Sequence, residues 1–364
     1  MFLRRPLVVY PQLLSIVLAT SLVAAAVSAQ PATNVSMQTP FAQEEGELTE
    51  SLRPLLEPLL EELAGLSVAV ARDGEIVVSQ GLGWADLEQR VAASPATRYL
   101  VHSAAKAWTM ALAAQLIEEG RFAMTDPVAP LVPGWPADKS PITLLQLATH
   151  SSGIRHYHDE AEALAPGRCS SVADAIPIFA SDPLLHEPGA ERGYSSWGFV
   201  LLSAAIEGAA GVPFGEALAK GVLEPAGMVS TVLADPIPLI ADRARTYRRE
   251  DGELVNAVGL DSTCKWGAGG YLATADDLVR FYLALFDERL ISGASVQLIT
   301  SGATVVRFGG SSVGGMSQVL ADRGRGVIAA IAANTQAREL DLHAVLLELV
   351  DRVAVSSHGE PPHD

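Results

Sequence analysis

Apolar and polar residues alternate near both ends of the chain, and this period of two is typical of β-strands. Turn residues separate neighbouring segments at positions 72–74 and 322–326, which predicts tight connections between paired strands. The predicted strands are residues 66–70, 75–80, 304–306, 316–320 and 327–331. Because both ends of the chain supply antiparallel strands, we expect them to form one sheet.

Apolar residues at helical spacing dominate the rest of the chain. They predict amphipathic helices over residues 48–63 and 337–353, and a mainly helical subdomain over about 103–289. The sequence therefore predicts an α/β (α+β) fold, with an antiparallel sheet built from both chain ends, flanking helices and a mainly helical middle. We expect one domain over residues 47–354 and a tail over 355–364.

The first residues have the order of an export signal. Two arginines precede an uncharged apolar run over residues 13–26, and the small residues Val27-Ser28-Ala29 follow as a cleavage site. We therefore expect a signal peptide over 1–29, a polar linker over 30–46, and a periplasmic or secreted protein with no stable membrane span after cleavage. The alternative is an uncleaved anchor, because the run is near the lower length limit for a spanning helix.

Composition excludes one large class of partners. The 364 residues are 49% hydrophobic, which is enough to bury a core, and 42 Asp and Glu outweigh 25 Lys and Arg to give a net charge of -17. Nucleic-acid binding is excluded because no basic stripe exists to neutralise phosphates. Since only four of the 25 basic residues are lysines, a lysine inside an apolar stretch is informative.

Ser103 and Lys106 form the most informative pair. Lys106 is the sole charged residue in the apolar run 104–117, and a helix that is apolar on nearly every side is buried. Three-residue spacing places the two side chains on the same helix face. Because burial lowers the pKa of a lysine, its neutral amine could take the proton of Ser103 at the start of the helix. A second Ser-x-x-Lys pattern, Ser262 and Lys265, leads into a glycine-rich loop, so we assign it no role.

Two further segments carry candidate chemistry. Tyr194 and Ser196 lie between a loop rich in Gly and Pro and an apolar helix predicted over 197–207, where a tyrosine can move protons if a cation lowers its pKa. Near the C-terminal end, a strand runs into Gly309 and Gly310, which offer close approach and backbone amides for an oxyanion. Each segment alone is also compatible with ordinary packing.

Together these motifs resemble the serine β-lactamase and penicillin-binding enzyme superfamily, because Ser-x-x-Lys on a buried helix, a later Tyr-Ser-Ser and a basic-Phe-Gly-Gly strand occur in order. The stretches that resemble its mitochondrial serine β-lactamase-like group and bacterial relatives are residues 65–70, 142–157, 265–272 and 309–315. The resemblance covers nearly all of the predicted mature chain. It implies the superfamily's fold and an acyl-enzyme mechanism without a metal or cofactor.

The resemblance also implies a role for each matching residue. Ser103 would be the acylated nucleophile, Lys106 its base and Tyr194 the proton shuttle to the leaving group. The amides of Ser103 and Gly310 would form the oxyanion hole. The remaining residues implied to bind substrate are Ser196, Arg307 and Gly309.

Three positions depart from the superfamily's pattern. Ser196 stands where many relatives have Asn, and Arg307 and Phe308 replace a Lys-Thr or His-Thr pair. Arginine keeps a charge that can hold a carboxylate but cannot give up a proton, and Phe308 brings no hydroxyl. The strand rich in Gly, Tyr and Trp that relatives usually have between Phe286 and Arg307 is also not found in the sequence. We therefore expect a hydrolase of small esters or peptides, including peptidoglycan-type peptides, rather than an efficient β-lactamase.

Other interpretations remain open at this point. Ser312 in a Gly-x-Ser-x-Gly pattern could be the nucleophile of an α/β-hydrolase, although a strand rather than a helix is predicted to follow. The histidines of residues 156–159 with His150 could hold zinc. A non-catalytic binding or self-assembling scaffold is the alternative function, and the oligomeric state is open. The spacing of Cys169 and Cys264 does not decide whether they pair.

Overall fold

The computed structural model describes residues 46–355 apart from 137, 138, 140, 258 and 338. The predicted signal peptide and residues 30–45 of the predicted linker lie outside the described residues. Most of the predicted tail, residues 356–364, lies outside them as well.

The described residues form both helices and strands, as expected for a mixed α and β protein. The helices are α1 Glu47–Leu56, α2 Lys106–Glu118, α3 Leu144–Ala148, α4 Glu160–Leu164, α5 Val172–Ala175, α6 Ser196–Ala210, α7 Phe214–Leu218, α8 Glu224–Ala226, α9 Ala275–Phe286, α10 Gly293–Ile299 and α11 Leu342–Val355. The strands are β1 Gly65–Arg72, β2 Glu75–Asp86, β3 Val91–Ala92, β4 Tyr99–Leu100, β5 Val232–Leu233, β6 Tyr247–Glu250, β7 Glu253–Asn256, β8 Tyr271–Ala273, β9 Val305–Ser312, β10 Gly315–Asp322 and β11 Val327–Ala333.

A six-stranded sheet with the order β3-β2-β1-β11-β10-β9 joins the two ends of the chain. The N-terminal strand β1 pairs antiparallel with the C-terminal strand β11 along its whole length. β11 is buried at every position, and a strand covered on both faces is expected to be a continuous apolar run. The structure thus confirms the sheet predicted from both chain ends.

Helices cover both faces of this sheet. On β1, Leu66 and Val68 point to an apolar cluster shared with α1 and α11. Ala69 and Ala71 point the other way, to a larger cluster that includes α2, α6 and α9. Because successive side chains of a strand point to opposite faces, β1 contributes to two separate cores. The catalytic candidates lie on the side of the larger one.

Two terminal helices differ from their predicted bounds for identifiable reasons. α1 ends at Leu56 and continues as a 3₁₀ turn from Glu57 to Glu61, because Pro58 has no amide hydrogen to extend the α-helical ladder. α11 begins at Leu342 rather than at 337, since the carboxylate of Asp341 accepts the amides of the next turn and caps the helix there.

No strand lies between α10 and β9, where residues 300–304 form turns. Ser301 and Gly302 both have positive φ, at 53° and 69°, which reverses the chain directly into β9. This agrees with the sequence, which predicted no additional strand here. Within the described residues, β9 is therefore the edge of the sheet.

A small sheet in the helical middle places the start of α2. Its strand order is β4-β8-β5, and the amide of Val101, just after β4, donates to the carbonyl of Tyr271 at 3.1 Å. Ser103 follows two residues later. The pairing of β4 with β8 thus fixes the position of Ser103.

Helix α6 is buried along most of its length in the larger cluster and ends at Gly211, which is left-handed with φ 73°. In the part of the chain that the structure describes, no single helix is long and apolar enough to cross a membrane. Within those residues, one pair of helices, α6 together with Phe214–Ala226 and bent by 81°, satisfies the length and composition of a broken span.

Cys169 and Cys264 form a disulfide, which resolves the pairing that their spacing left open. Both side chains are buried. The amide of Cys169 donates to Thr263 Oγ1 at 3.1 Å, and the indole of Trp266 donates to the carbonyl of Ser171 at 3.1 Å. The bridge therefore joins two segments that hydrogen bonds also hold together.

We expect the double variant Cys169→Ala/Cys264→Ala to lose about 2 to 4 kcal/mol of unfolding free energy, because the bridge closes a loop between residues 95 positions apart. Urea denaturation of the variant and of the wild type measures the difference. Thiol titration of the unfolded, unreduced wild type is the control. Two reactive thiols would contradict the disulfide.

Candidate active site

A cleft of about 520 Å³ lies where the helical middle meets the edge of the large sheet. Its volume is in the range of small-molecule sites. The described residues that line it are His102, Ser103, His156, Tyr157, Ala163, Tyr194, Ser196, Lys265, Ala268, Gly269, Gly309, Gly310, Ser311, Ser312, Met316, Ser317 and Gln318. Most of the residues predicted from the sequence to form the site are therefore brought together in one place.

Ser103 lies in a 3₁₀ turn, His102–Ala105, that leads directly into α2. The preceding residue, His102, has φ 48°, a left-handed conformation that is uncommon outside glycine and directs the chain sharply into the turn. A Cβ on Gly310 would lie 2.3 Å from the Ser103 backbone nitrogen and 2.3 Å from the Val101 carbonyl oxygen. Only glycine fits between β9 and this turn, so the predicted oxyanion pair is in close contact.

Lys106 reaches Ser103 from inside the protein. Its side chain is 1% exposed, and its Nζ donates to Ser103 Oγ at 3.0 Å. It also donates to Ser196 Oγ at 3.2 Å and to the Ala268 carbonyl at 2.5 Å. The rings of Tyr194 and Phe199 lie with their centroids 5.1 and 5.4 Å from the same nitrogen.

Tyr194 completes the contact from the solvent side, with its hydroxyl 2.6 Å from Ser103 Oγ. Burial lowers the pKa of Lys106, and the charge and hydrogen bond of Tyr194 offset part of that change. Burial alone would raise the pKa of Tyr194, but the charge of Lys106 and hydrogen bonds with Lys106, Ser103 and Ser196 outweigh it and leave the pKa lowered. Both groups therefore give up a proton more readily than they would in water.

The loop before α6 is held so that Tyr194 faces Ser103. Ser195 Oγ caps α6 by accepting the amide of Gly198 at 2.8 Å and donates to the carbonyl of Arg155 at 2.7 Å. The amide of Ser195 also donates to Nδ1 of His150 at 3.2 Å, and the His150 ring lies 4.5 Å from the Tyr194 ring. Ser195, which orients its neighbours Tyr194 and Ser196, was not predicted from the sequence.

His150 and His156 accept backbone hydrogen bonds rather than gather around a metal position. Nδ1 of His156 accepts the amide of Ser196 at 3.2 Å, as His150 does for Ser195. Burial and the charge of Lys106 lower the pKa of both rings to about 4, so both are neutral at pH 7. Between residues 46 and 355, leaving aside the five gaps, no three His, Cys, Asp or Glu side chains converge as metal ligands would.

Arg307 is the predicted site residue that the structure does not bring into the cleft. It is exposed on β9, opposite Leu320, which packs in the cluster under α11. Phe308 points to the other face and packs against the larger core. Because Arg307 and Gly310 are three residues apart on a strand, their side-chain directions are opposite. The contact between Gly310 and Ser103 turns Arg307 away.

Lys265 is the cleft residue that sequence analysis passed over. It is 5% exposed and lines the same cavity as Ser103, with its Nζ 5.8 Å from the Tyr157 ring centroid. Ser262, its partner in the second Ser-x-x-Lys pattern, lines a different cavity. The scarcity of lysines was the signal that could have identified Lys265.

Ser312 does not form the strand-turn-helix elbow of an α/β-hydrolase. It ends β9, and the chain turns at Gly314 into β10, which pairs antiparallel with β9. A nucleophile elbow needs a helix after the serine. Ser312 lines the cleft, but the local structure gives it no base or oxyanion turn of its own.

Comparisons with known proteins agree with this architecture. The family model described as Beta-lactamase matches residues 52–350. Serine beta-lactamase-like protein LACTB, mitochondrial, of Homo sapiens is 28% identical over 303 residues, covering 64% of this chain and 55% of that protein. The chain thus spans about half the length of that curated relative.

Solved structures show the same fold. A penicillin binding protein from Bacillus halodurans has a TM-score of 0.73 at 23% identity, covering 84% of this chain and 100% of that chain. A D-amino acid amidase from Ochrobactrum anthropi SV3 has a TM-score of 0.70 at 20% identity, covering 86% of this chain and 99% of that chain. With the family match over most of its length, the chain belongs to the β-lactamase family of serine hydrolases.

Proposed function

We propose that this protein is an exported serine hydrolase that cleaves ester or peptide substrates through a Ser-Lys-Tyr acyl-enzyme mechanism. One observation carries the proposal: Ser103 Oγ lies between Lys106 Nζ, at 3.0 Å, and the Tyr194 hydroxyl, at 2.6 Å. A nucleophile within hydrogen-bond reach of a base is the geometry that covalent catalysis requires. Export rests on the signal pattern in residues 1–29, which lie outside the described residues.

Acylation begins when Ser103 Oγ attacks the carbonyl carbon of the substrate and its proton passes to the Lys106 and Tyr194 pair. The backbone amides of Ser103 and Gly310 stabilise the negative charge on the carbonyl oxygen. As the tetrahedral intermediate collapses, the bond to the leaving group breaks and the pair returns the proton to that group through Tyr194. Water then attacks the acyl carbon, and Ser103 regains its proton as the acid is released.

The environment of Lys106 suits a base better than a structural cation. Buried lysines are normally paired with a carboxylate, whereas the acceptors around Lys106 are two serine hydroxyls and a carbonyl. Burial therefore favours the neutral amine, whose lone pair can accept a proton from Ser103 Oγ. The hydrogen bonds that Nζ donates to Ser196 Oγ and to the Ala268 carbonyl hold it within reach of Ser103.

A non-catalytic scaffold is the rival function, and it gives no reason for this arrangement. A scaffold gains nothing from burying a lysine without an opposing charge, since removing an ammonium from water is costly. It also gains nothing from the positive φ of His102 next to Ser103. Both features are expected where a nucleophile must be activated and exposed.

Substrates of this site are esters or amides rather than readily hydrolysed β-lactams. By their names, the similar amidase acts on D-amino acid amides and the similar penicillin binding protein binds penicillin. Arg307 points away from the cleft and Phe308 brings no hydroxyl, so neither of these two residues can act as a relay for activating water on a bulky penicilloyl group.

We expect Ser103 to be labelled by a fluorophosphonate probe, and Lys106→Ala to reduce the labelling rate by at least about a hundredfold because the base is lost. Mass spectrometry of the labelled peptide identifies the serine. Ser312→Ala is the matched control and should label at the wild-type rate, with thermal denaturation showing that each variant is folded. Labelling that persists in Ser103→Ala and disappears in Ser312→Ala would contradict the proposal.

We expect turnover of 4-nitrophenyl acetate and butyrate to exceed turnover of nitrocefin, with Ser103→Ala as the blank. A missing hydrogen bond in a transition state typically costs about a hundredfold to a thousandfold in rate. That loss falls on deacylation of the β-lactam adduct, so nitrocefin should give at most a burst of one equivalent. Serine-dependent steady-state turnover that is faster on nitrocefin would show that β9 is not limiting.

A further inference from the structure

Lys265 is a buried cation in the cleft that the acyl-transfer mechanism does not use. Its side chain is 5% exposed, yet it lines the cavity that contains Ser103. In the part of the chain that the structure describes, Nζ has no hydrogen-bond acceptor and no carboxylate within ion-pair distance. Its ring neighbour is Tyr157, whose centroid is 5.8 Å away. A charge that is removed from bulk water and left unpaired is costly unless a ligand supplies its partner.

No acidic side chain of the described chain lines the cleft beside Lys265. Asp and Glu do not occur among the described residues that line the cleft, although the chain as a whole carries a net charge of -17. The two lining histidines are neutral at pH 7, because burial and the charges of Lys106 and Lys265 hold the pKa of His102 near 3 and that of His156 near 4. The cleft is therefore a positive pocket in an acidic protein.

We infer that Lys265 binds a carboxylate on the substrate and so selects anionic acyl compounds over neutral ones of the same shape. This inference rests on the proposed hydrolase function and names its substrate class: an ester or amide that bears a free carboxylate near the scissile bond. An ammonium in a partly dry pocket forms a charge-assisted hydrogen bond with a carboxylate, and, within the described residues, no acidic side chain lines the cleft to repel that carboxylate.

Lys265 takes a role that the sequence pattern had suggested for Arg307. Arg307 is exposed on the far side of β9 and does not line the cleft. Lys265 comes instead from the loop that follows Cys264, and the disulfide to Cys169 fixes that loop. The positive charge is thus present in the cleft but comes from a different segment of the chain.

The preference should depend on pH in a defined direction. Burial and the charge of Lys106 lower the pKa of Lys265 to about 8, while Asp261 opposes that change. The other titratable groups that face it are Tyr157 and the neutral rings of His102 and His156. Below pH 8 the ammonium is charged and the preference for anions is complete, and above pH 8 the amine becomes neutral and the preference declines.

Two pairs of esters test the inference, each pair differing in one negative charge. The first is mono-4-nitrophenyl adipate against its methyl ester, with the charge on the acyl side. The second is 3-acetoxybenzoate against its methyl ester, with the charge on the leaving-group side. We expect the wild type to have a higher kcat/KM for the anion in one pair, by about tenfold to a hundredfold, the usual value of a hydrogen bond to a charged group.

We expect Lys265→Met to abolish this preference and Lys265→Arg to retain most of it. Lys220→Met is the matched control, since Lys220 is an exposed lysine paired with Glu216 and should leave the ratio unchanged. If Arg307→Met rather than Lys265→Met abolishes the preference, the assignment to Lys265 is wrong. A wild-type ratio near one in both pairs, or a ratio that does not fall between pH 7 and 9, would also overturn it.

Failure of this inference and failure of the hydrolase proposal give different results. If no ester is hydrolysed in a Ser103-dependent way, the proposed function fails. If Ser103-dependent hydrolysis occurs without discrimination by charge, only the role of Lys265 fails. Should Lys265→Met not fold, the pH dependence of the wild-type ratio and the Lys265→Arg variant still decide the question.

Discussion

The burial of Lys106 against Ser103 is the constraint on which the rest of the site depends. The Lys106 side chain is 1% exposed and its Nζ contacts only neutral oxygens, so keeping it charged costs free energy. Burial therefore lowers its pKa. The surrounding structure must therefore compensate by satisfying every donor of Nζ. The hydroxyl of Ser196 and the carbonyl of Ala268 do so, and they come from different segments of the helical middle.

Contacts between segments distant in sequence place the other groups of the site beside Lys106. Pairing of β4 with β8 fixes the turn that carries Ser103, and β9 approaches the same turn so closely that Gly310 must lack a side chain. Ser195 caps α6 and thereby orients Tyr194. The sheet built from both chain ends and the helical middle thus meet at the acylation site, and neither part contains the whole site.

Local patterns were enough to predict some of this arrangement and not the rest. The Ser103 and Lys106 pair was predictable because its spacing, its helix and its burial all lie within one short apolar segment. Lys265 was not, because its burial depends on tertiary structure: the Tyr157 ring is near its Nζ, and a disulfide joins the adjacent Cys264 to a residue 95 positions away. Arg307 was misplaced because the sequence showed its charge but not which face of β9 would turn toward Ser103. The absence of a strand before β9 was predictable, since too few residues separate it from α9.

The pH dependence of Ser103 acylation tests the central claim most directly, that a buried lysine and a tyrosine share a lowered proton affinity beside the nucleophile. A neutral fluorophosphonate removes any effect of substrate charge, and the second-order labelling rate reports the free enzyme. The account predicts a rate that rises with the deprotonation of the Lys106 and Tyr194 pair, with an apparent pKa well below the value of about 10.4 for a free lysine. A rate that rises only near pH 10 or above, or a profile that Lys106→Ala leaves unchanged, would contradict it.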